Sequence, residues 1–450
     1  MSSKRDLVEA HSFNRRRLVT AFVSGAPGGR EVEPVRYGRA LVAGAVLAAL
    51  VVVGAAVGGL IKPKLQDGWN QNALVIAKDS GARFFAQKNT LFPIINTTSA
   101  RLIAADSGGK LKISTVDDKL LGDMDVSFTI GIPGAPDALP TDADLIQTGW
   151  TACVNGSGGL KVSVDDRAPA RAVDDQALLV ESVGEGGERF LVAGGKRYPI
   201  SGRNGDNTLR NLNLPTNAFQ ASGSWVNLLG LGPEIKPFQV PGQGQTVDTG
   251  IPGVDKVGTP IIQGGSQYLL VTVSGTPRLL PLSDFAYAVY QAGSTVQPAK
   301  PSAAELAKVK NVPSVKGLEF LDEWPQEAPT PYRQSSPCLV LDGSGDFRTT
   351  SLATTGSDRL PDAKTQTVLV RPGHGALVQE TSGGVRSDQG GAVLIDSTGT
   401  RFTVPANSVG RLGFGSVATP AVSQAWTVLF RDGPALDPEQ AIKPATGGGS

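Results

Sequence analysis

Hydrophobicity along the chain falls into two regimes. Residues 40–61, ALVAGAVLAALVVVGAAVGGLI, are apolar without interruption, whereas the apolar stretches beyond them are short, mix with polar residues and stop at glycines. At about 1.5 Å per residue, these 22 residues span roughly 33 Å, enough for a hydrocarbon core of about 30 Å. A soluble helix of that length would carry a polar stripe, and this run has none. The pattern predicts one transmembrane helix from Ala40 to Ile61. A cleaved signal peptide has a shorter apolar core and a small-residue cleavage site. Here Lys62-Pro63-Lys64 closes the run and Pro63 stops the helix, so an uncleaved anchor is the preferred reading. Gly54 and Gly58 have the small-x-x-x-small spacing that lets a second helix approach. Upstream, residues 4–23 suggest a basic, weakly amphipathic helix with Leu7, Leu18 and Phe22 on one face and Arg15 intruding. It could lie on the membrane surface, dock a cytoplasmic partner, or be a disordered basic tail. The break Gly25-Ala26-Pro27-Gly28-Gly29 separates it from the apolar run.

After the apolar run one pattern recurs four times: an apolar strand, a turn glycine, an arginine a few residues on, and a second short strand. Leu74–Ile76 leads through Gly81 to Arg83-Phe84. Phe190–Val192 leads through Gly195 to Arg197–Ile200. Tyr268–Val271 leads through Gly275 to Arg278–Pro281, and Ala392–Ile395 leads through Gly399 to Arg401–Pro405. Each reads as a β-hairpin whose turn needs glycine's backbone freedom. Short helices are expected after the hairpins, at Asn96–Ala104, Val226–Leu231, Ser283–Gln291 and Asn407–Phe414, with Ser283 as an N-cap. Units of this size bury little alone and need one another or a central sheet. The stretch from Gly433 to Ser450 reads as a tail that orders only by packing onto something.

Composition agrees with a turn-rich, strand-rich body: 56 glycines and 31 prolines in 450 residues. The net charge of +1 gives the chain no general attraction for nucleic acid. Locally, residues 1–39 hold eight Lys/Arg against four acids, which places the N-terminus inside and the long C-terminal part outside. The only cysteines, Cys153 and Cys338, fall in the exported part and read as one disulfide, with two unrelated buried thiols as the alternative. They lie between the first and second units and between the third and fourth. That near-mirror placement suggests a central element assembled from two distant segments.

Candidate chemistry is sparse. The histidines, His11 and His374, form no nucleophilic or zinc-binding set. Gly195-Lys196 and Gly109-Lys110 lack the Ser/Thr and upstream glycine of a phosphate-binding loop. Gly156-Ser157-Gly158 has Lys161 where a dinucleotide fingerprint needs glycine. The acid pairs Asp117-Asp118, Asp165-Asp166 and Asp174-Asp175 read as solvated turns. No catalytic, cofactor-binding or metal site is assigned.

Several strings together resemble EccB, a membrane component of actinobacterial type VII (ESX) secretion systems. They are Asp79–Arg83 followed by Leu91–Leu102, Gly131–Asp137, Trp150–Cys153, Ser224–Asn227 and Pro241–Gly244. The resemblance implies a structural component of the secretion complex that anchors and organises its exported side and self-associates as a dimer or larger. It implies EccC, EccD and EccE as partners in the inner membrane, beside membrane lipid, and a disulfide at Cys153 and Cys338. An ATPase activity has been proposed in the family, which leaves an exported nucleotide hydrolase as the alternative.

The expected fold is α+β: one N-terminal transmembrane helix, then a mostly β periplasmic domain of four hairpin-plus-helix repeats around a central β domain, quasi-symmetric and disulfide-linked. The expected divisions are a cytoplasmic segment 1–39, transmembrane helix 40–61, repeat 1 at 62–130, and a central domain in two parts, 131–175 and 321–365. Repeats 2, 3 and 4 are expected at 176–253, 254–320 and 366–432, and the tail at 433–450.

Overall fold

The computed structural model describes residues 4–24, 37–60, 68–104, 111–122, 124–167, 170–184, 187–200, 202–356, 364–386 and 391–445. The Gly25–Gly29 break, Ile61, Lys62-Pro63-Lys64 and the last residues of the tail lie outside them. The chain divides into two compact units, Met1–Gln66 and Asp67–Ser450.

The first unit holds two helices, α1 (Lys4–Ser24) and α2 (Tyr37–Leu60). α1 carries basic and apolar residues around much of its circumference, and Phe22 and Val23 are 91% and 85% exposed. In α2 the large apolar side chains are exposed too, Leu41 at 74% and Leu47 at 66%. Among the described residues no helix is long and apolar enough to cross a membrane. The described side chains of α2 end at Val53, seven residues short of its C-terminus at Leu60.

In the second unit four sheets share one connection. Three antiparallel strands meander and a helix follows. A strand or bridge then joins the outer edge of the first strand in parallel, a short helical turn intervenes, and a last strand or bridge joins the third strand in parallel. The first sheet uses Ala73–Ala77, Arg83–Gln87 and Thr90–Pro93, with Lys112–Val116 and Asp125–Val126 added at its edges. The second uses Gln176–Val183, Arg189–Ala193 and Lys196–Pro199, flanked by Phe219–Ser222 and Gly230–Leu231. The third uses Pro260–Gln263, Ser266–Val273 and Thr276–Leu282, and bridges at Ala299 and Asn311 replace the flanking strands. The fourth uses Ala376–Ser382, Ala392–Ile395 and Thr400–Val404, flanked by Ala421–Ser423 and Arg431–Asp432.

This topology changes the hairpin expectation in three places. The recurring core is a three-stranded meander rather than a hairpin. In the first sheet, Gly81 and Arg83 sit at the turn between strands one and two, whereas Gly195, Gly275 and Gly399 sit between strands two and three. The equivalent turn of the first sheet is Lys88-Asn89, both at positive φ. In the second sheet the helix after the meander is Gly202–Asn211, and Val226 ends the later short helix Gly223–Val226. Expected helix starts hold where a cap forms. The Ser283 hydroxyl accepts from the Ala286 N–H at 3.1 Å and opens Asp284–Gly293.

A fifth, central sheet runs in the order Gln366–Val370, Leu160–Val164, Trp150–Val154, Cys338–Asp342, Thr349–Thr354, Arg171–Ala172. It is built from two segments far apart in sequence. Gln366–Val370, expected in the fourth repeat, pairs in parallel with Leu160–Val164 and belongs to this sheet. Periodicity alone could not assign it, since an alternating strand fits either neighbour.

Strand alternation gives the central sheet two faces. Trp150, Ala152, Val162, Leu339 and Leu341 share one, and they join a single core with Val180, Val192 and Trp225 of the second sheet and Val378, Val393 and Trp426 of the fourth. A separate core joins second and third sheets through residues such as Leu209 and Phe285, and another joins Leu102 to the fourth sheet. The tail packs as expected of an ordered one. Leu436 and Ala441 are fully buried in that last core, and the Ala445 N–H donates to the Thr129 carbonyl at 2.9 Å.

Candidate functional site

The centre of the molecule is the register of two antiparallel strands. Trp150–Val154 and Cys338–Asp342 pair so that Cys153 stands opposite Cys338, with Cα atoms 4.0 Å apart and the sulfurs bonded. Both cysteines are fully buried, on the face opposite Trp150 and Ala152. The disulfide ties residues 185 apart in sequence.

Three tryptophans organise the other face, each with its indole N–H satisfied, as buried indoles require. Trp150 donates to the Ile146 carbonyl at 2.8 Å. Trp225 donates to the Ala152 carbonyl and Trp426 to the Thr350 hydroxyl, both at 2.9 Å. Trp150 meets Trp426 and Phe430 edge-on, with ring centroids 6.3 and 5.7 Å away. Trp225 and Trp426 occupy the same place in the second and fourth sheets: the short helix after the first parallel strand, capped by Ser222 and Ser423. The sequence carries a signal for this pair that the hairpin reading passes over. Trp225-Val-Asn-Leu-Leu-Gly-Leu-Gly-Pro233 and Trp426-Thr-Val-Leu-Phe-Arg-Asp-Gly-Pro434 share a W-x-x-L-x-x-x-G-P pattern.

The turn glycines divide by what they touch. A Cβ on Gly195 would lie 2.6 Å from the Thr350 carbonyl oxygen, and one on Gly399 would lie 2.9 Å from Val368. Both neighbours are in the central sheet, so these turns press directly onto it. A Cβ on Gly275, in the equivalent turn of the third sheet, or on Gly81 would meet open space. Thr350 therefore takes the second sheet's turn at its carbonyl and the fourth sheet's Trp426 at its hydroxyl.

The arginines diverge in the same way. Arg83 reaches Asp137 at 2.6 Å. That bond, with the Thr97 N–H at 2.9 Å, holds the Asp137 carboxyl below its usual range. Arg278 donates to the Pro277 carbonyl at 2.9 Å. Arg401 sits in an acidic cage, its Nε donating to Asp432 at 2.6 Å and its Nη1 to Glu380 at 3.2 Å. Arg197 has no such cage. Its Nη1 donates to the Asn227 side-chain oxygen, and its plane lies 5.5 Å from the Phe190 ring centre. Its Nε is buried without a partner. Burial pushes its pKa down, with the charge of Glu188 acting in the opposite sense.

The described residues include no group of three or more His, Cys, Asp or Glu arranged to hold a metal. Acid pairs serve local structure. The Asp117 carboxylate caps Asp118–Leu121, and the Asp118 carboxylate accepts the Asp79 and Ser80 N–H groups. Asp165 pairs with Arg167, and Asp166 with Arg371. His374 lies 3.8 Å from Asp144.

Known proteins align with this architecture. The profile of one family, described as Type VII secretion system ESX-1, transport TM domain B, matches residues 1–445. The ESX-2 secretion system ATPase EccB2 of Mycobacterium tuberculosis (strain ATCC 25618 / H37Rv) is 26% identical, over 98% of this chain and 94% of that one. Among solved structures, a chain of an intact ESX-5 inner membrane complex is similar over 100% of this chain and 97% of that one, with TM-score 0.63 and 22% identity. A chain of the EccB3 dimer from an ESX-3 core complex is similar with TM-score 0.64 and 20% identity, over 82% of this chain and 100% of that one.

Proposed function

The chain belongs to the EccB family of type VII secretion, and from that membership we propose that it is a structural membrane component of an ESX secretion complex, anchoring and organising its exported side. The observation that carries the proposal is the match over residues 1–445, which takes in both the helical first unit and the multi-sheet second unit.

Within this reading α2 is the single membrane anchor. Its 24 residues extend about 36 Å, and exposed apolar side chains such as Leu41, Leu47 and Leu50 suit hydrocarbon better than water. The basic residues of α1 keep the N-terminus on the cytoplasmic side and can meet anionic lipid or cytoplasmic parts of the complex. The second unit then lies outside, where its disulfide persists. EccC, EccD and EccE are the expected partners in the membrane. Self-association is supported by the solved relative that is described as a dimer. The division into four repeats and a two-part central domain is retained, with Gln366–Val370 moved to the central domain.

Purification of the full chain in mild detergent should recover other membrane components of the complex with it. Recovery only as a lone monomer would overturn the proposal. The nucleotide-hydrolase alternative rests on the names of the curated relatives. ATP turnover by the purified full chain, abolished by a single substitution, would establish it, and turnover no greater than a contaminant control would end it.

A further inference from the structure

Second and fourth sheets provide an internal comparison at one position. Arg401 stands opposite Asp432, and Arg197 stands opposite Leu231, in the same two-strand register. Glu380 pairs in parallel with Val422, and Ser182 with Ala221, each partner four residues before the equivalent tryptophan. The fourth sheet thus encloses its arginine with two carboxylates, and the second puts leucine and serine in their places. Leu231 is 63% exposed, and Arg197 forms no ion pair among the described residues. Deleting both acids while keeping the arginine leaves a half-buried guanidinium whose Nε has no partner beside an exposed apolar side chain.

We propose that the Arg197–Leu231 face of the second sheet is a docking site for a carboxylate of a different protein subunit of the assembly, not a second copy of this chain, which completes in trans the cage that Glu380 and Asp432 build in cis around Arg401. The chemistry is specific. Aspartate or glutamate matches the ligands in the sister site, and a planar guanidinium binds carboxylates in a fixed geometry. Leu231 supplies the apolar rim that excludes water from the pair. The proposal rests on the reading of the chain as a complex component.

Arg197→Gln in the full-length chain should lower recovery of the membrane complex at least about tenfold, as truncating one member of a desolvated charge pair does. Its melting temperature should stay equal to or above that of the unmodified chain, because an unpaired half-buried charge is gone. Leu231→Asp, which closes the cage internally, should lower recovery similarly and raise the melting temperature. Arg401→Gln should lower the melting temperature by removing its ion pairs with Glu380 and Asp432. A photo-crosslinking residue at 231 should capture a partner peptide containing Asp or Glu, and changing that acid to its amide should reproduce the loss. Full recovery with both Arg197→Gln and Leu231→Asp overturns the proposal and leaves the assembly reading intact. Loss of recovery matched by a lowered melting temperature in Arg197→Gln assigns the residue a folding role and also overturns it, as does a crosslink only to a second copy of this chain or to lipid. An unmodified chain recovered alone overturns both.

Discussion

At the residue scale, identical residue types do different work according to what lies beside them. Gly195 and Gly275 both take positive φ, +74° and +75°, in equivalent turns, yet only Gly195 meets a backbone oxygen. Gly275→Ala should cost about 1 kcal/mol, the left-handed backbone penalty alone. Gly195→Ala adds an overlap with Thr350 that cannot be relieved by a side-chain rotation, and should cost about 3 kcal/mol. Paired chemical denaturation of the two variants measures the difference, and equal costs would remove the contact from the account. Tyr332 makes a pH-dependent contribution. Burial pushes its phenol up to about 12, and its hydroxyl donates to the Ala353 carbonyl at 3.0 Å. Unfolded tyrosine titrates near 10, so the neutral form is favoured by folding. The contribution is fully present below about pH 10 and is lost as pH rises toward 12. Stability of Tyr332→Phe should therefore fall less steeply than that of the unmodified chain across that window. Parallel slopes would count against the assignment. Gly195 is ordinary in the sequence, because the backbone it meets at Thr350 belongs to an element more than a hundred residues away.

At the element scale, the hydrophobic pattern made strands legible and left their grouping open. Alternation and turn glycines locate Phe190–Val192 and Ala392–Ile395 on strands. The helix Gly202–Asn211 escaped because GRNGDNTLRN holds two glycines and three asparagines, all poor helix formers. Packing against Asp284–Gly293 through the core of Leu209 and Phe285 overrides that propensity. The first sheet misled in another way. Gly81 and Arg83 reproduce the pattern of the other units by position in the string while occupying a different turn. The short tryptophan helices carry a direct test. Trp225→Phe removes the indole N–H that donates to the Ala152 carbonyl and part of the ring, which should cost about 2–4 kcal/mol. Trp426→Phe leaves a hydroxyl that can rotate to another partner, so its cost should be smaller. Denaturation midpoints of both variants decide the order, and a reversed order would refute the reasoning.

At the scale of the whole molecule, the second and fourth sheets dock on one face of a central sheet whose opposite face holds the disulfide. Closing a loop of 185 residues restricts the unfolded chain by about 5 kcal/mol in the chain-entropy account. Replacing both cysteines by serine should therefore lower stability by about that amount, less any relaxation, and should make the gel mobility of the denatured chain independent of reductant. Unchanged stability would place the value of the bond elsewhere. The sequence by itself determined the apolar run of residues 40–61, the strand-rich composition, the pairing available to two cysteines and the strings that resemble EccB, because each is a local pattern or a count. Only the tertiary structure decided that Gln366–Val370 belongs to the central sheet, that Gly195 and Trp426 converge on Thr350, and that Arg401 is enclosed by acids while Arg197 is not. Strand pairing and side-chain contact join residues distant along the chain, and period-two alternation is the same whichever sheet a strand enters.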